Sequence, residues 1–184
     1  MAALEQLVRQ GKVLYAGISS YNSHQTGAAA AAISRLSNGR VPLTIHQPPC
    51  SMMNRGVMED DLPRTCARHG LGIIAFSVLN KGLLTDKYLG GVPEDSRAGR
   101  RMALRPDAVT DEYREQARKL NEIAQRRGQS LAQMSIAWIL RDERFTSVVL
   151  GASSPEQIEE NVAALNNLEF DDEELAEIDE VMGY

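Results

Sequence analysis

The residues best suited to chemistry lie in short polar stretches, each following an apolar run. The richest is FSVLNKGLLTDKY, Phe76 to Tyr88, which follows Leu71 to Ala75. It supplies a ring (Phe76), a hydroxyl (Ser77), an amide (Asn80), two cations (Lys81 and Lys87) and Gly82. Three smaller stretches resemble it. Ser19, Ser20 and Tyr21 follow VLYAGI, Gln47 ends LTIHQ, and Gly151-Ala152-Ser153-Ser154 leads into Gln157, Glu160 and Asn161. These residue types suit the holding of a cofactor. Gln47 can both donate to and accept from a carboxamide, and Phe76 can stack on a planar ring. Lys81, Lys87 and Arg97 can neutralise phosphates. The backbone amides from Ser154 to Gln157 open a helix and suit an anion or a polar nucleotide group. Structural roles stand beside these. Phe76 can equally be core, Gln47 can satisfy a buried backbone group, and the basic residues can be solvated loop charges.

The elements that must position these residues alternate. Leu4, Leu7 and Val8 have helical spacing, closed by Gly11. Val13 to Ile18 reads as a buried strand, and Thr26 to Leu36 as an Ala-rich helix stopped by Asn38-Gly39. Pro42 leads into a second strand, Leu43 to Gln47, which Pro48-Pro49 ends. A helix is expected over Val57 to Arg68 and a third strand over Gly72 to Phe76. A long connection runs from Ser77 to about Thr110, with Arg97, Arg100, Arg101 and Arg105 in it; a loop of that length is usually functional. Helices over Asp111 to Arg127 and Leu131 to Leu140 come next, the second with a face of Met134, Ala137, Trp138 and Leu140. A fourth strand is expected at Ser147 to Leu150. Pro155 then sits at N1 of a helix capped by Ser154 and running to about Leu165. Asp171 or Asp172 caps a last helix.

Short apolar strands alternating with helices argue a parallel sheet, with every strand's C-terminal end on one face, where α/β folds bind ligands. Adjacent residues of a strand point to opposite sides, so His46 faces away from Gln47 and reads as a packing or surface residue. Tyr113 and Tyr184 read as surface residues, and the Met52-Met53 pair as core or a pocket wall, with core favoured.

Composition narrows the function. The chain carries 25 acidic against 20 basic residues, a net charge of −5, and the acids cluster late. That argues against a nucleic-acid footprint and against an anionic membrane surface. No apolar run approaches a transmembrane length. Cys50 and Cys66 have no spacing for a metal site or a disulfide framework, so a reducing cytoplasm is the default. Neither GxGxxG, a P-loop, GxSxG nor HExxH is present.

The segments GKVLYAGISSY, HQPPCSMMNR, AFSVLNKGLLTDKY, SLAQMSIAWIL and VVLGASSPEQIEENVAAL, in this order, resemble blocks of the aldo-keto reductases. The resemblance covers essentially the whole chain, residues 1–184, as one domain. It implies an α/β fold of the (β/α)8 TIM-barrel family, here a C-terminal half-barrel of about four βα units plus a C-terminal helix. It implies NADP(H) bound in extended form across the strand ends. Carried over by position, Ser19, Ser20 and Gln47 hold the nicotinamide carboxamide region and Phe76 stacks on the nicotinamide. Ser77, Leu79, Asn80, Lys81 and Gly82 line the pyrophosphate. Lys87, Ser96 and Arg97 lie along the loop that closes over the phosphates, and Lys87 and Arg97 favour NADPH over NADH. Gly151, Ser153, Gln157, Glu160 and Asn161 hold the adenosine end. Val78 stands where the branch of the family that the chain resembles commonly has proline.

An eight-stranded barrel needs about 250 residues. By the same resemblance, the family's catalytic Asp, Tyr, Lys and His all belong to the first half, and none has a counterpart here. The expectation is a truncated chain: the cofactor half of a reductase that turns an aldehyde or ketone into an alcohol, or alternatively a non-catalytic half-barrel that binds a nucleotide or a partner. Open sheet edges predict self-association, or pairing with an N-terminal half.

Overall fold

Apolar stretches flanked by proline, glycine or serine become four short strands in the computed structural model, which describes residues 1–94 and 109–184. They are β1 (Ala16–Ser19), β2 (Leu43–Gln47), β3 (Gly72–Ala75) and β4 (Phe145–Val148). The sheet order is β1-β2-β3-β4, and every pairing is parallel. The described residues divide into two units, and the whole sheet lies in the first, made of 1–50, 54–76 and 142–149.

In this first unit the sheet is joined by α1 (Ala2–Arg9), α2 (Ser23–Ser37), α3 (Gly56–Glu59) and α4 (Leu62–His69). α2 packs against α4. Small side chains at Ala29 and Ala30 are buried beside Ile33 on one helix, and Leu62 and Cys66 are fully buried on the other. Burial pushes the Cys66 thiol up to about 11, which makes it an inert packing residue. Cys50 and Cys66 form no disulfide. Gly17 allows β1 to lie close to β2, because a Cβ there would meet the Ile45 carbonyl oxygen at 3.0 Å.

Several expected boundaries move, three of them with a visible cause. β1 begins at Ala16, not Val13, because pairing starts at Ala16 opposite Leu43. Val13, Leu14 and Tyr15 are exposed instead. β4 begins two residues early, at Phe145, which is buried and pairs with Ile73. The single helix expected over Val57 to Arg68 is two, since Asp61 takes a left-handed conformation (φ 59°) between α3 and α4. Leu43–Gln47 forms as expected.

The second unit comprises 51–53, the described part of 77–141, and 150–184. It contains α5 (Asp111–Arg126), α6 (Leu131–Leu140), α7 (Pro155–Val162) and α8 (Asp172–Met182). Ser130, Ser154 and Asp171 cap α6, α7 and α8. α6 is not one-faced as expected. Leu131, Ala132, Met134, Ser135, Ile136, Ala137, Trp138 and Ile139 are all buried, which is the pattern of a central helix. α6 contacts α5, α7 and the turn Ala163–Asn166. Arg127 ties the end of α5 to α8: its guanidinium pairs with Glu174, donates to the Glu169 carbonyl at 2.7 Å and stacks on Phe170 at 3.6 Å.

Tyr113 overturns its surface assignment. It is buried, and its hydroxyl donates to the Leu83 carbonyl. Burial, then the charge of neighbouring Tyr88, pushes the phenol above its usual range. The bond joins α5 to the turn after β3. Tyr113→Phe is expected to destabilise the protein by about 1–2 kcal/mol in urea unfolding, because the buried carbonyl loses its donor. An unchanged midpoint would refute that role.

His46, read as a packing or a surface residue, is fully buried and so is a packing residue, with no hydrogen-bond partner on either ring nitrogen. Burial pushes its imidazole below the ordinary 6.5, and the Tyr21 backbone opposes this to a smaller degree without reaching hydrogen-bond geometry. The folded protein therefore holds His46 neutral while the unfolded chain protonates below about pH 6.5. Stability is complete above that pH and falls below it, by at most about 1.4 kcal/mol per pH unit for one proton. Urea unfolding between pH 7.5 and 5.5 should show this slope (about one proton or less), and His46→Gln should flatten it. Equal slopes in the two proteins would exclude His46 as the source.

Candidate cofactor site at the strand ends

Parallel pairing brings the strand ends together, and backbone hydrogen bonds carry the pairing past the strands themselves. The Ser20 amide donates to the Gln47 carbonyl at 3.1 Å, and the Phe76 amide to the Pro48 carbonyl at 3.0 Å. The Cys50 amide donates to the Phe76 carbonyl at 3.1 Å. Pro48 and Pro49 have no N–H to offer, yet Pro48 still accepts and Pro49 pairs with Phe76. This holds Ser19, Ser20, Gln47 and Phe76 at one edge of the first unit.

Within that group the Ser19 hydroxyl donates to the Gln47 carbonyl at 2.7 Å and lies 3.3 Å from the Ser20 hydroxyl. Ser19 and Ser20 are exposed, while Gln47 and Phe76 are half-buried. Ser20 has φ 58°, a left-handed conformation that a residue with a Cβ adopts at a cost. The start of α2 fixes this turn. Asn22 accepts from the Gln25 amide at 2.8 Å, and Gln25 accepts from the Asn22 amide at 3.1 Å. This reciprocal cap was readable in the sequence as Asn-x-x-Gln, although the helix was expected only from Thr26. Asp60 adds a second tie, accepting from the Ser23 amide and hydroxyl at 2.5 and 3.1 Å. Beside it lies a shallow cavity of about 210 Å³, lined by Ser20, Tyr21, Asn22, Pro48, Pro49, Gly56, Val57 and Asp60. Sequence reasoning gave Asp60 no part here; it comes from a loop with no motif.

The other anticipated residues belong to the second unit. Ser77 directly follows Phe76 in the chain and has φ 59°. Asn80 and Lys81 are left-handed as well, at 42° and 60°, and Gly82 follows at 97°. Four positive φ values in six residues give this turn a shape that would normally call for glycine. Such conformations cluster at ligand clamps. The Asn80 amide is anchored on the Met53 sulfur at 3.3 Å, and the Thr85 hydroxyl on the Gly82 carbonyl at 2.7 Å. Leu79 is half-buried; Lys81 and Lys87 are exposed. Ser96 and Arg97 lie outside the described residues.

At the start of α7, the Gln157 side-chain oxygen accepts from the Ser153 amide at 2.8 Å and from its hydroxyl at 3.0 Å. The Ser154 hydroxyl accepts from the Gln157 amide at 3.4 Å. Hydrogen bonding from Ser154, then from its own backbone, holds the Glu156 carboxyl below the usual range. The helix N-terminus is thus capped by the chain itself, and only part of its amide set is open. Gly151 and Glu160 are exposed and Asn161 is half-buried, with the Glu160 carbonyl held by Gln133 at 2.9 Å. Among the described residues, no group of three or more His, Cys, Asp or Glu side chains is placed to hold a metal. No described helix is long and apolar enough to cross a membrane.

Parallel βα units with polar groups gathered at the strand ends define an α/β protein of the barrel class. The family model described as "Aldo/keto reductase family" matches residues 1–182, so the chain belongs to the aldo/keto reductase family. It is 49% identical over 183 residues to the L-glyceraldehyde 3-phosphate reductase of Escherichia coli O157:H7, and 48% to that of strain K12. Each comparison covers 97% of this chain but 52% of the relative, so the chain spans about half the length of these curated relatives. The fold is also that of a glycerol dehydrogenase from Gluconobacter oxydans (TM-score 0.72, 22% identity), of which 52% is covered by 98% of this chain. A thermostable aldo-keto reductase gives a TM-score of 0.65 at 21% identity, with 98% and 53% covered. The four βα units therefore correspond to about half of a (β/α)8 barrel.

The strained turn generates a direct prediction. Ser77 is exposed and its φ suits glycine. Ser77→Gly is expected to raise stability by about 0.5–1 kcal/mol in urea unfolding, as relief of the left-handed strain outweighs the added freedom of the unfolded chain. A loss of stability would show that the serine side chain holds the turn.

Proposed function

We propose that this chain is the cofactor-binding half of an NADPH-dependent aldo-keto reductase, whose complete barrel reduces an aldehyde or ketone to an alcohol. One observation carries the reading. Within a chain of this family, Ser19, Ser20 and Gln47 meet at paired strand ends, and the backbone after β1 and after β3 is held left-handed at Ser20 and Ser77. Folds keep such strain where a ligand uses the shape.

NADP(H), when bound, supplies the hydride that a carbonyl carbon accepts. The chain's own residues bind and orient. The Gln47 amide and the Ser19 and Ser20 hydroxyls hold the carboxamide of the nicotinamide, and Phe76 covers one face of its ring. The turn from Ser77 to Gly82, with Leu79, Asn80 and Lys81, carries the pyrophosphate. Lys87, with Ser96 and Arg97, favours the phosphate-bearing dinucleotide. Gly151, Ser153, Gln157, Glu160 and Asn161 receive the adenosine end, with Gln157 exchanging its bonds to Ser153 for bonds to the ligand. In this reading the acid for the carbonyl oxygen comes from the other half of the barrel, and a positioned acid contributes about 10²–10⁴-fold. The identity to L-glyceraldehyde 3-phosphate reductases makes that aldehyde the first substrate to try in a completed barrel.

Titration with NADPH, followed through Trp138 and cofactor emission, tests the reading. Saturable binding is expected, weakened about ten-fold by Phe76→Ala through loss of ring stacking. NADH is expected to bind less tightly than NADPH. Absence of saturation, or equal affinity in the Phe76→Ala variant, would overturn it.

A further inference from the structure

Asp60 is exposed, so it adds nothing to the core. Its carboxylate reaches another element instead, accepting from the Ser23 amide at 2.5 Å and from the Ser23 hydroxyl at 3.1 Å. Ser23 is the first residue of α2. A carboxylate on the first amide of a helix makes a charge-assisted bond, which the helix dipole favours further. A left-handed residue lies on each side of this bond. On one side, Asp61 has φ 59° between α3 and α4. The Asp60 amide closes on the Gly56 carbonyl at 3.0 Å and the Asp61 amide on the Met58 carbonyl at 3.3 Å, and the joint so formed presents Asp60 to α2. On the other side, Ser20 has φ 58°. Its amide is fixed on the Gln47 carbonyl at 3.1 Å, and only Tyr21 and Asn22 separate it from Ser23. The turn is therefore pinned at both ends, to β2 by Ser20 and to the α3–α4 joint by Asp60. Ser20 and Asp60 line the same cavity, and all of these residues lie in the first unit.

We propose that Asp60 is a positioning residue for the nicotinamide end of the dinucleotide. It acts without touching the ligand. It holds the start of α2 where Ser20 must bend left-handed, and that bend keeps the Ser20 hydroxyl 3.3 Å from the Ser19 hydroxyl. Strain of this kind persists only where the surroundings over-determine it, and the Asp60 bonds are part of that surrounding. Without the carboxylate the Asn22–Gln25 cap still starts the helix, but nothing in the Ser23 bonds ties that start to the α3–α4 joint. Ser20 then relaxes, and the carboxamide loses an ordered partner. The effect is confined to one end of the ligand, since the residues proposed for the adenosine end, Gly151 to Asn161, belong to the second unit. The inference rests on the cofactor reading and adds to it a residue that comes from outside the strand ends.

Calorimetric titration with two probes separates this role from a merely structural one. NADPH has both ends, whereas adenosine 2′,5′-bisphosphate has the adenosine end and no nicotinamide. Asp60→Ala is expected to weaken NADPH about five-fold, the loss of a charged hydrogen bond felt at second hand, and to leave the bisphosphate affinity unchanged. Asp60→Asn keeps an oxygen for the Ser23 amide and should recover most of the loss. In the free chain, the amide resonances of Ser20 and Ser23 should move in Asp60→Ala and return towards their original positions in Asp60→Asn. If Asp60→Ala does not fold, Ser23→Ala decides: it removes only the hydroxyl bond and should weaken NADPH about two-fold. Unchanged NADPH affinity, equal losses for the two probes, or no recovery with asparagine would each overturn the proposal. Failure of the unaltered chain to bind NADPH would overturn the cofactor reading itself, and this inference with it.

Discussion

Everything in the candidate site depends on parallel pairing that continues beyond the strands. The bonds from Ser20 to Gln47, from Phe76 to Pro48 and from Cys50 to Phe76 fix the heights of three chain exits relative to one another. Move the register by one residue and Gln47 exchanges places with His46, which has no use at a polar edge. Two prolines follow Gln47 and cannot donate, so beyond it the ladder is carried by the Pro48 carbonyl and the Cys50 amide. The sheet's geometry and the site's geometry are therefore one constraint.

Left-handed backbone at residues with side chains carries a cost in each unit. Ser20, Ser77, Asn80 and Lys81 all bear it. A chain selected only for stability would place glycine at several of these positions. Instead the neighbours are reinforced: the Asn22–Gln25 cap and the Asp60–Ser23 bonds behind Ser20, the Asn80–Met53 contact and the Tyr113–Leu83 bond around the turn after β3. Exposed polar groups on a strained, well-braced backbone are what a binding edge requires.

Much of the fold was legible. Proline bracketing read β2 to the residue, and the Ser130 cap read the start of α6. The limits of β1 and β4 were not legible, because a partner's register sets them and no local residue does. Tyr113 was misread although its signal was present: it lies four residues before Ala117 and seven before Leu120, on the buried face. At the site, the residue types at the strand ends were legible and their conformations were not. Nothing in Ser-Ser-Tyr announces a left-handed serine, since serine seldom adopts that region. The self-capping of α7 by Ser154 and Gln157 was only partly legible, as Ser154 was read as a cap while the Gln157–Ser153 bonds were not.

The most direct test of the central claim maps where a dinucleotide lands. Amide chemical shifts of the isotope-labelled chain, recorded with increasing NADPH, should move at Ser20, Gln47, Phe76 and Ser77 and saturate together. Shifts confined to other surfaces, or none at saturating ligand, would contradict the claim that these strand ends form a cofactor site.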